Sequence, residues 1–169
     1  ATGTLSIAAN VFENSAPILY SGTADTRSTL VSGNYTGASA GRNVFITSTA
    51  DLYFQIDGLN TSAYQSADLQ LSFGLNTSSI TNLLTVEYST DGTTWTPLTF
   101  TATGTGWSLV TIAGGQIPSS TTLSLKFRQP NPAFGQFRID DVKLSNVSAS
   151  CTLALGTPTT LCDASTLGI

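Results

Sequence analysis

Phe137-Arg138-Ile139-Asp140-Asp141-Val142-Lys143-Leu144 decides how this chain is read. Its apolar residues change parity: Phe137 and Ile139 occupy odd positions, Val142 and Leu144 even ones. A β-strand sends successive side chains to opposite faces, so its inward face must shift phase across the two aspartates. The simplest device is a β-bulge, an extra residue that re-aims the side chains beside it. One carboxylate then turns towards the interior, where an unpaired charge costs on the order of several kcal/mol. It needs a partner, and a bound cation is the natural candidate. The alternative is a surface ion pair of Asp140 with Arg138 or Lys143.

Working outward, the same alternation recurs along the chain. Leu52, Phe54 and Ile56 share a face, as do Leu69, Leu71, Phe73 and Leu75. Leu84, Val86 and Tyr88 form a third set, and Leu123, Leu125 and Phe127 a fourth. Val44-Phe45-Ile46 does not alternate and reads as a more fully buried run. Turn clusters separate these segments, among them Asp57-Gly58-Leu59-Asn60, Asp91-Gly92-Thr93-Thr94 and Gln129-Pro130-Asn131-Pro132. Many short strands, each with one wet face, specify an all-β fold of two antiparallel sheets. The expectation is a jelly-roll β-sandwich module over residues 1–147, its strands running from about Leu5 to Val147.

Composition agrees and excludes several roles. Only 9% of the 169 residues are charged, against about a quarter in an ordinary globular domain. Thr, Ser, Gly and Asn replace them, which suits pleated surfaces and tight turns. A net charge of −4 without any Lys/Arg cluster argues against nucleic acid as a partner. No apolar run of about twenty residues is present, so no membrane insertion is expected. The sequence contains no histidine and only two cysteines, Cys151 and Cys162, so zinc sites of the usual kind are excluded. Those cysteines form either a disulfide across a short loop or two free thiols. They belong to a tail, residues 148–169, that reads as a linker and the start of a following, truncated module.

Two stretches together resemble a known family. Asn10-Val11-Phe12-Glu13-Asn14 near the start and Phe137 to Leu144 near the end are similar to the paired "FE" and "(Y/F)xIDDVxL" segments of jelly-roll carbohydrate-binding modules. Tyr35 to Val44, Leu69 to Gly74 and Val86 to Trp95 resemble a Bacteroidetes-type subgroup found in large secreted proteins. The resemblance implies a structural Ca²⁺ held by Glu13 and Asp140, with Asp141 as the other carboxylate to consider. Such an ion takes six to eight oxygen ligands, so backbone carbonyls would complete the shell. It further implies a non-catalytic accessory module of a secreted or cell-surface bacterial protein, whose partners are a polysaccharide or other glycan and the neighbouring domains of its own chain. A structural or adhesive spacer without a glycan ligand is the alternative.

Glycan sites present aromatic rings to the apolar faces of sugars, with polar groups around them for the hydroxyls. Tyr53 is the best-placed ring, because it lies on the polar side of the strand that buries Phe54. Tyr35, Arg42 and Phe134 fall in loops and are expected to border a groove. Trp107 is expected in the core, and Trp95 against Tyr88 across its hairpin. Catalysis is not expected. Nucleophile systems that rely on histidine are unavailable, and Asp140 and Asp141 cannot face each other across a cleft as glycosidase carboxylates do.

Overall fold

The computed structural model describes residues 3–147, so the expectations for Cys151, Cys162 and the tail lie outside the described residues. Eleven strands form two antiparallel sheets, as the alternating runs require. They are β1 (Thr4–Ser6), β2 (Leu19–Gly22), β3 (Asp25–Arg27), β4 (Asn43–Ile46), β5 (Tyr53–Leu59) and β6 (Leu69–Thr77). The others are β7 (Thr85–Ser89), β8 (Thr96–Pro97), β9 (Gly106–Ile112), β10 (Leu123–Arg128) and β11 (Phe137–Asn146). One sheet has six strands in the order β1-β3-β4-β11-β6-β9; the other has five, β2-β5-β10-β7-β8. This is a jelly-roll β-sandwich. The only helical pieces among the described residues are three short 3₁₀ turns, and none is long and apolar enough to cross a membrane.

The core lies between the sheets and is built from the predicted faces. Leu69, Leu71, Phe73 and Leu75 of β6 are each 2% exposed or less, and Leu123, Leu125 and Phe127 of β10 answer them from the other sheet. Phe73 and Phe127 meet edge to face, with ring centroids 5.2 Å apart, an arrangement that adds to their area burial. All four residues of β4 are buried, as expected for a run without alternation. The two faces of β4 are nevertheless different. Val44 and Ile46 join the core, whereas Phe45 packs under arginine on the outer side of the sheet.

The phase change in β11 is a bulge. Asp140 pairs with Gly74 of β6, and the next pair is Lys143 with Ser72, so Asp141 and Val142 together oppose Phe73. Phe137 and Ile139 face the core before it; Val142 and Leu144 pack on the core after it. Asp141 takes the left-handed backbone, with φ of 50°. That region suits an aspartate better than a β-branched neighbour such as Val142.

Trp107 is buried as expected, at 7% exposed, but on the far side of its sheet from the main inter-sheet cluster. Ser108, Val110 and Ile112 pair with Leu75, Phe73 and Leu71 and take the inward side of β9, so Trp107 must point outwards. Its burial comes from a loop. The segment between β3 and β4 lies over that face, Leu30 accepts a hydrogen bond from Trp107 Nε1 at 3.1 Å, and the Tyr35 ring stands 6.5 Å away. Trp95 does not pack on Tyr88. Tyr88 sits against the core, while the Trp95 ring meets Lys126 on the outer face of the five-stranded sheet.

Candidate functional site

The doubled aspartate sits at the mouth of a cleft of about 320 Å³ where the two sheets part. Glu13, Asp140 and Asp141 all line it, with Asn10, Thr26 and Arg42 alongside and Phe12, Tyr20 and Phe54 forming its apolar wall. The Phe12 and Tyr20 rings are stacked 4.1 Å apart, which fixes the Asn10–Asn14 segment beside β2. Burial divides the carboxylates. Glu13 is exposed, whereas both aspartates are partly buried.

The two aspartates also differ in their partners. Asp141 Oδ2 accepts from the Tyr35 hydroxyl at 2.5 Å and from the Ser39 backbone N–H at 3.1 Å. Burial, and after it this contact with Asp141, hold the Tyr35 pKa above its ordinary value. Asp140 is served less well. Its Oδ1 accepts from the Asp141 N–H at 3.0 Å, and its Oδ2 accepts a longer bond from the Ser39 hydroxyl at 3.4 Å. Burial, more than these bonds, sets the direction of its pKa, which is raised.

The surface ion pair offered as the alternative for Asp140 does not form among the described residues. The ion pairs present there are Arg27–Asp25, Arg128–Asp51 and Arg128–Glu87. Arg138 instead donates to the Thr29 carbonyl and to Asn43 Oδ1, with its guanidinium 4.5 Å from the Phe45 ring centre. Lys143 is exposed. Asp140 is therefore a partly buried carboxylate without a cationic side chain. Among the described residues no three acidic or sulfur and imidazole ligands converge on one point, so the carboxylates alone do not make a metal shell.

The loop residues expected around a groove are placed differently from one another. Tyr35 is engaged with Asp141 and Trp107. Arg42 reaches the cleft, but its Nη1 donates to the carbonyls of Gly3 and Thr26, tying the first strand down. Phe134 closes a 3₁₀ turn, Pro132–Phe134, and packs on the core.

Tyr53 belongs to a different surface, the outer face of the five-stranded sheet. Pairing aligns Tyr53 with Arg128, and Gln55 with Lys126, across β5 and β10; Glu87 of β7 lies opposite Lys126 on the other side. These positions alternate with Phe54, Ile56, Leu125 and Phe127, which fill the core, so their side chains share the outer face. Two rings frame it. The Lys126 ammonium lies 3.4 Å from the Trp95 ring centre and 5.3 Å from that of Tyr53. Arg128 bonds Glu87 through Nε and Nη2, both at 3.2 Å, and Asp51 through Nη1 at 3.1 Å. The Gln55 amide donates to both oxygens of Asp57, at 2.9 and 3.0 Å. The hydrogen bond to Glu87 raises the Arg128 pKa, while burial lowers that of Lys126.

Sequence reasoning placed one residue of this face, Tyr53, as a candidate. The signal for the rest was present in parity. Tyr53-Gln55-Asp57 and Lys126-Arg128 are the polar halves of two alternating runs, and adjacent strands of one sheet must show them side by side. Trp95 was misplaced because the loop from Thr90 to Trp95 is longer than a two-residue turn, so the Asp-Gly pair did not fix which side the ring takes.

Comparison with known proteins returns structural neighbours only. No family model and no curated protein sequence matches the chain. Among solved structures, part of a glycoside hydrolase family 43 arabinoxylan arabinofuranohydrolase from Bacillus subtilis, in complex with cellotetraose, superposes with a TM-score of 0.50. The match is 11% identical over 76% of this chain and 27% of that one, so it corresponds to about a quarter of the hydrolase. The carbohydrate-binding module TmCBM61, in complex with β-1,4-galactotriose, has a TM-score of 0.42 and 16% identity over 78% of this chain and 89% of that one. The CBM22-1 xylan-binding domain from Paenibacillus barcinonensis has a TM-score of 0.46 and 11% identity, covering 77% and 86%. At these identities the likeness is one of fold. This chain shares its architecture with the matched part of that hydrolase.

Proposed function

We propose that this chain is a non-catalytic carbohydrate-binding module of a larger secreted or cell-surface bacterial protein, and that it takes a glycan across the outer face of its five-stranded sheet. One observation carries the reading: Tyr53 and Trp95 frame a strip of hydrogen-bonding side chains, Gln55, Asp57, Glu87, Lys126 and Arg128, on a rigid sheet. Sugars present apolar ring faces and a rim of hydroxyls, and this surface offers a counterpart to each. Its carboxylates are held by Gln55 and Arg128, which suits hydrogen bonding better than proton transfer. The fold shared with part of a hydrolase solved with cellotetraose agrees with a glycan ligand.

The test is a glycan array followed by affinity electrophoresis. Tyr53→Ala and Trp95→Ala should each weaken retention at least tenfold, about 1.4 kcal/mol, with unchanged melting curves. Absence of binding to any glycan at useful protein concentration would favour the structural or adhesive spacer instead.

The same reading includes a structural Ca²⁺ beside Asp140. The donor set fits a hard cation: Asp140 lacks a cationic partner, Glu13 lines the same cleft, and Asn10 and Thr26 add neutral oxygens there. Asp141, already bonded to Tyr35 and Ser39, is the weaker candidate. Backbone carbonyls would supply the remaining ligands.

A further inference from the structure

We propose that the outer face of the five-stranded sheet selects glycans containing uronic acid, with the sugar carboxylate taken by the Lys126 ammonium. The proposal rests on the glycan-binding reading above and narrows it to a ligand class.

The other charged groups of the face already have partners. Arg128 lies between Glu87 and Asp51, and the Asp57 carboxylate takes both bonds from Gln55. Lys126 has rings where Arg128 has carboxylates. Among the described residues it forms no ion pair, and its ammonium stands over Trp95 with Tyr53 on the other flank. A ring quadrupole attracts a cation but replaces only part of its hydration. Burial lowers the Lys126 pKa, with Arg128 adding to it, even though Glu87 and Asp57 act in the opposite direction.

That arrangement treats neutral and acidic sugars unequally. A neutral hexose stacking on Trp95 must first displace the ammonium and has no charge to offer it. A uronic acid stacked on Tyr53 brings a carboxylate to the exposed side of Lys126 while Trp95 keeps its other side. The contact is a charge-assisted hydrogen bond, roughly twice as strong as a neutral one. At long range the net charge of −4 opposes an anionic glycan. Selectivity therefore comes from the local contact.

Calorimetric titration of the full chain tests this, using soluble galacturonic and glucuronic acid oligosaccharides and the same oligosaccharides after carboxyl reduction. At low ionic strength the acidic forms should bind at least tenfold more tightly, with the advantage shrinking as salt is added. Lys126→Arg should keep the preference and Lys126→Met should abolish it, in proteins whose melting curves show them folded. Equal or tighter binding of the reduced forms, or a preference that survives Lys126→Met, overturns the uronate inference and leaves the glycan-binding reading standing. Tighter binding of a sulfated galactan oligosaccharide than of either uronate would show that the ligand class is wrong. If neither the acidic nor the reduced oligosaccharides bind, the uronate inference falls and the glycan array decides the wider reading.

Discussion

At the scale of single residues, the bulge in β11 depends on what surrounds Asp141. Its left-handed backbone is strained for a side chain, and the Tyr35 hydroxyl and Ser39 N–H reward it by satisfying the carboxylate. Tyr35 can approach only because β6 carries no side chain at Gly74; a Cβ there would collide with the Tyr35 hydroxyl and ring. Tyr35→Phe should lower stability by about 1–2 kcal/mol, the usual cost of leaving a partly buried acceptor short of a donor. Gly74→Ala should cost more, since it expels the whole ring from Trp107. Because both changes act through the same ring, the double variant should lose less than the sum of the two. Urea midpoints with unchanged slopes measure all three. Additive losses would show that Gly74 and Tyr35 are not coupled.

At the scale of elements, the short strand β8 is held by the turn that precedes it. It has two residues and among the described residues pairs only with β7, so it brings little hydrogen bonding of its own. Asp91 Oδ1 gathers the loop, accepting from the Thr93 and Thr94 backbone N–H groups at 2.8 and 2.7 Å and from the Ser89 hydroxyl at 3.0 Å. These bonds, the two backbone donors foremost, hold its pKa well below the ordinary 3.8. The folded chain thus binds this proton more weakly than the unfolded chain does. The stabilisation is complete above the ordinary carboxylate range and is lost as pH falls from there towards the lower folded value. Asp91→Ala should lower the melting temperature at pH 7 and flatten its decline below pH 4. A variant with the same acid profile as the parent would show that the turn does not depend on this charge.

The strands themselves were legible because their inward faces follow a period of two, and the bulge because that period breaks at Asp140-Asp141. The outer faces were harder to read. Trp107 shares parity with Leu109 and Thr111, yet it is buried by a loop whose course no local pattern encodes. The position of Trp95 likewise depended on a loop conformation. The polar strip on the five-stranded sheet was visible strand by strand but required the pairing of β5 with β10 and β7 to become a surface.

At the scale of the whole molecule, the weak point is the attachment of the N-terminal segment. The exposed strand β1 pairs with β3 alone, and Asn10–Asn14 forms no strand. Phe12 stacks on Tyr20 and Phe54, and Arg42 holds the Gly3 carbonyl, but Glu13 and Asp140 face one cleft as two negative charges. Without a cation the partly buried Asp140 carboxylate bears a desolvation cost that no side-chain cation offsets. A bound Ca²⁺ would offset that cost and fasten the start of the chain to its last strand. Binding to the folded state alone adds about 2.7 kcal/mol at a hundredfold excess over Kd. EDTA should therefore lower the melting temperature, Ca²⁺ should restore it, and Mg²⁺ should do so poorly, because the smaller ion demands stricter geometry. Asp140→Asn separates this from a general salt effect. It removes the desolvated charge, so in EDTA the variant should melt at or above the parent, while its response to Ca²⁺ should disappear. A Ca²⁺ response that persists in Asp140→Asn, or a parent that melts alike in EDTA and Ca²⁺ with no calcium found by metal analysis, would remove the ion from the account and leave Asp140 as a buried charge tolerated without a partner.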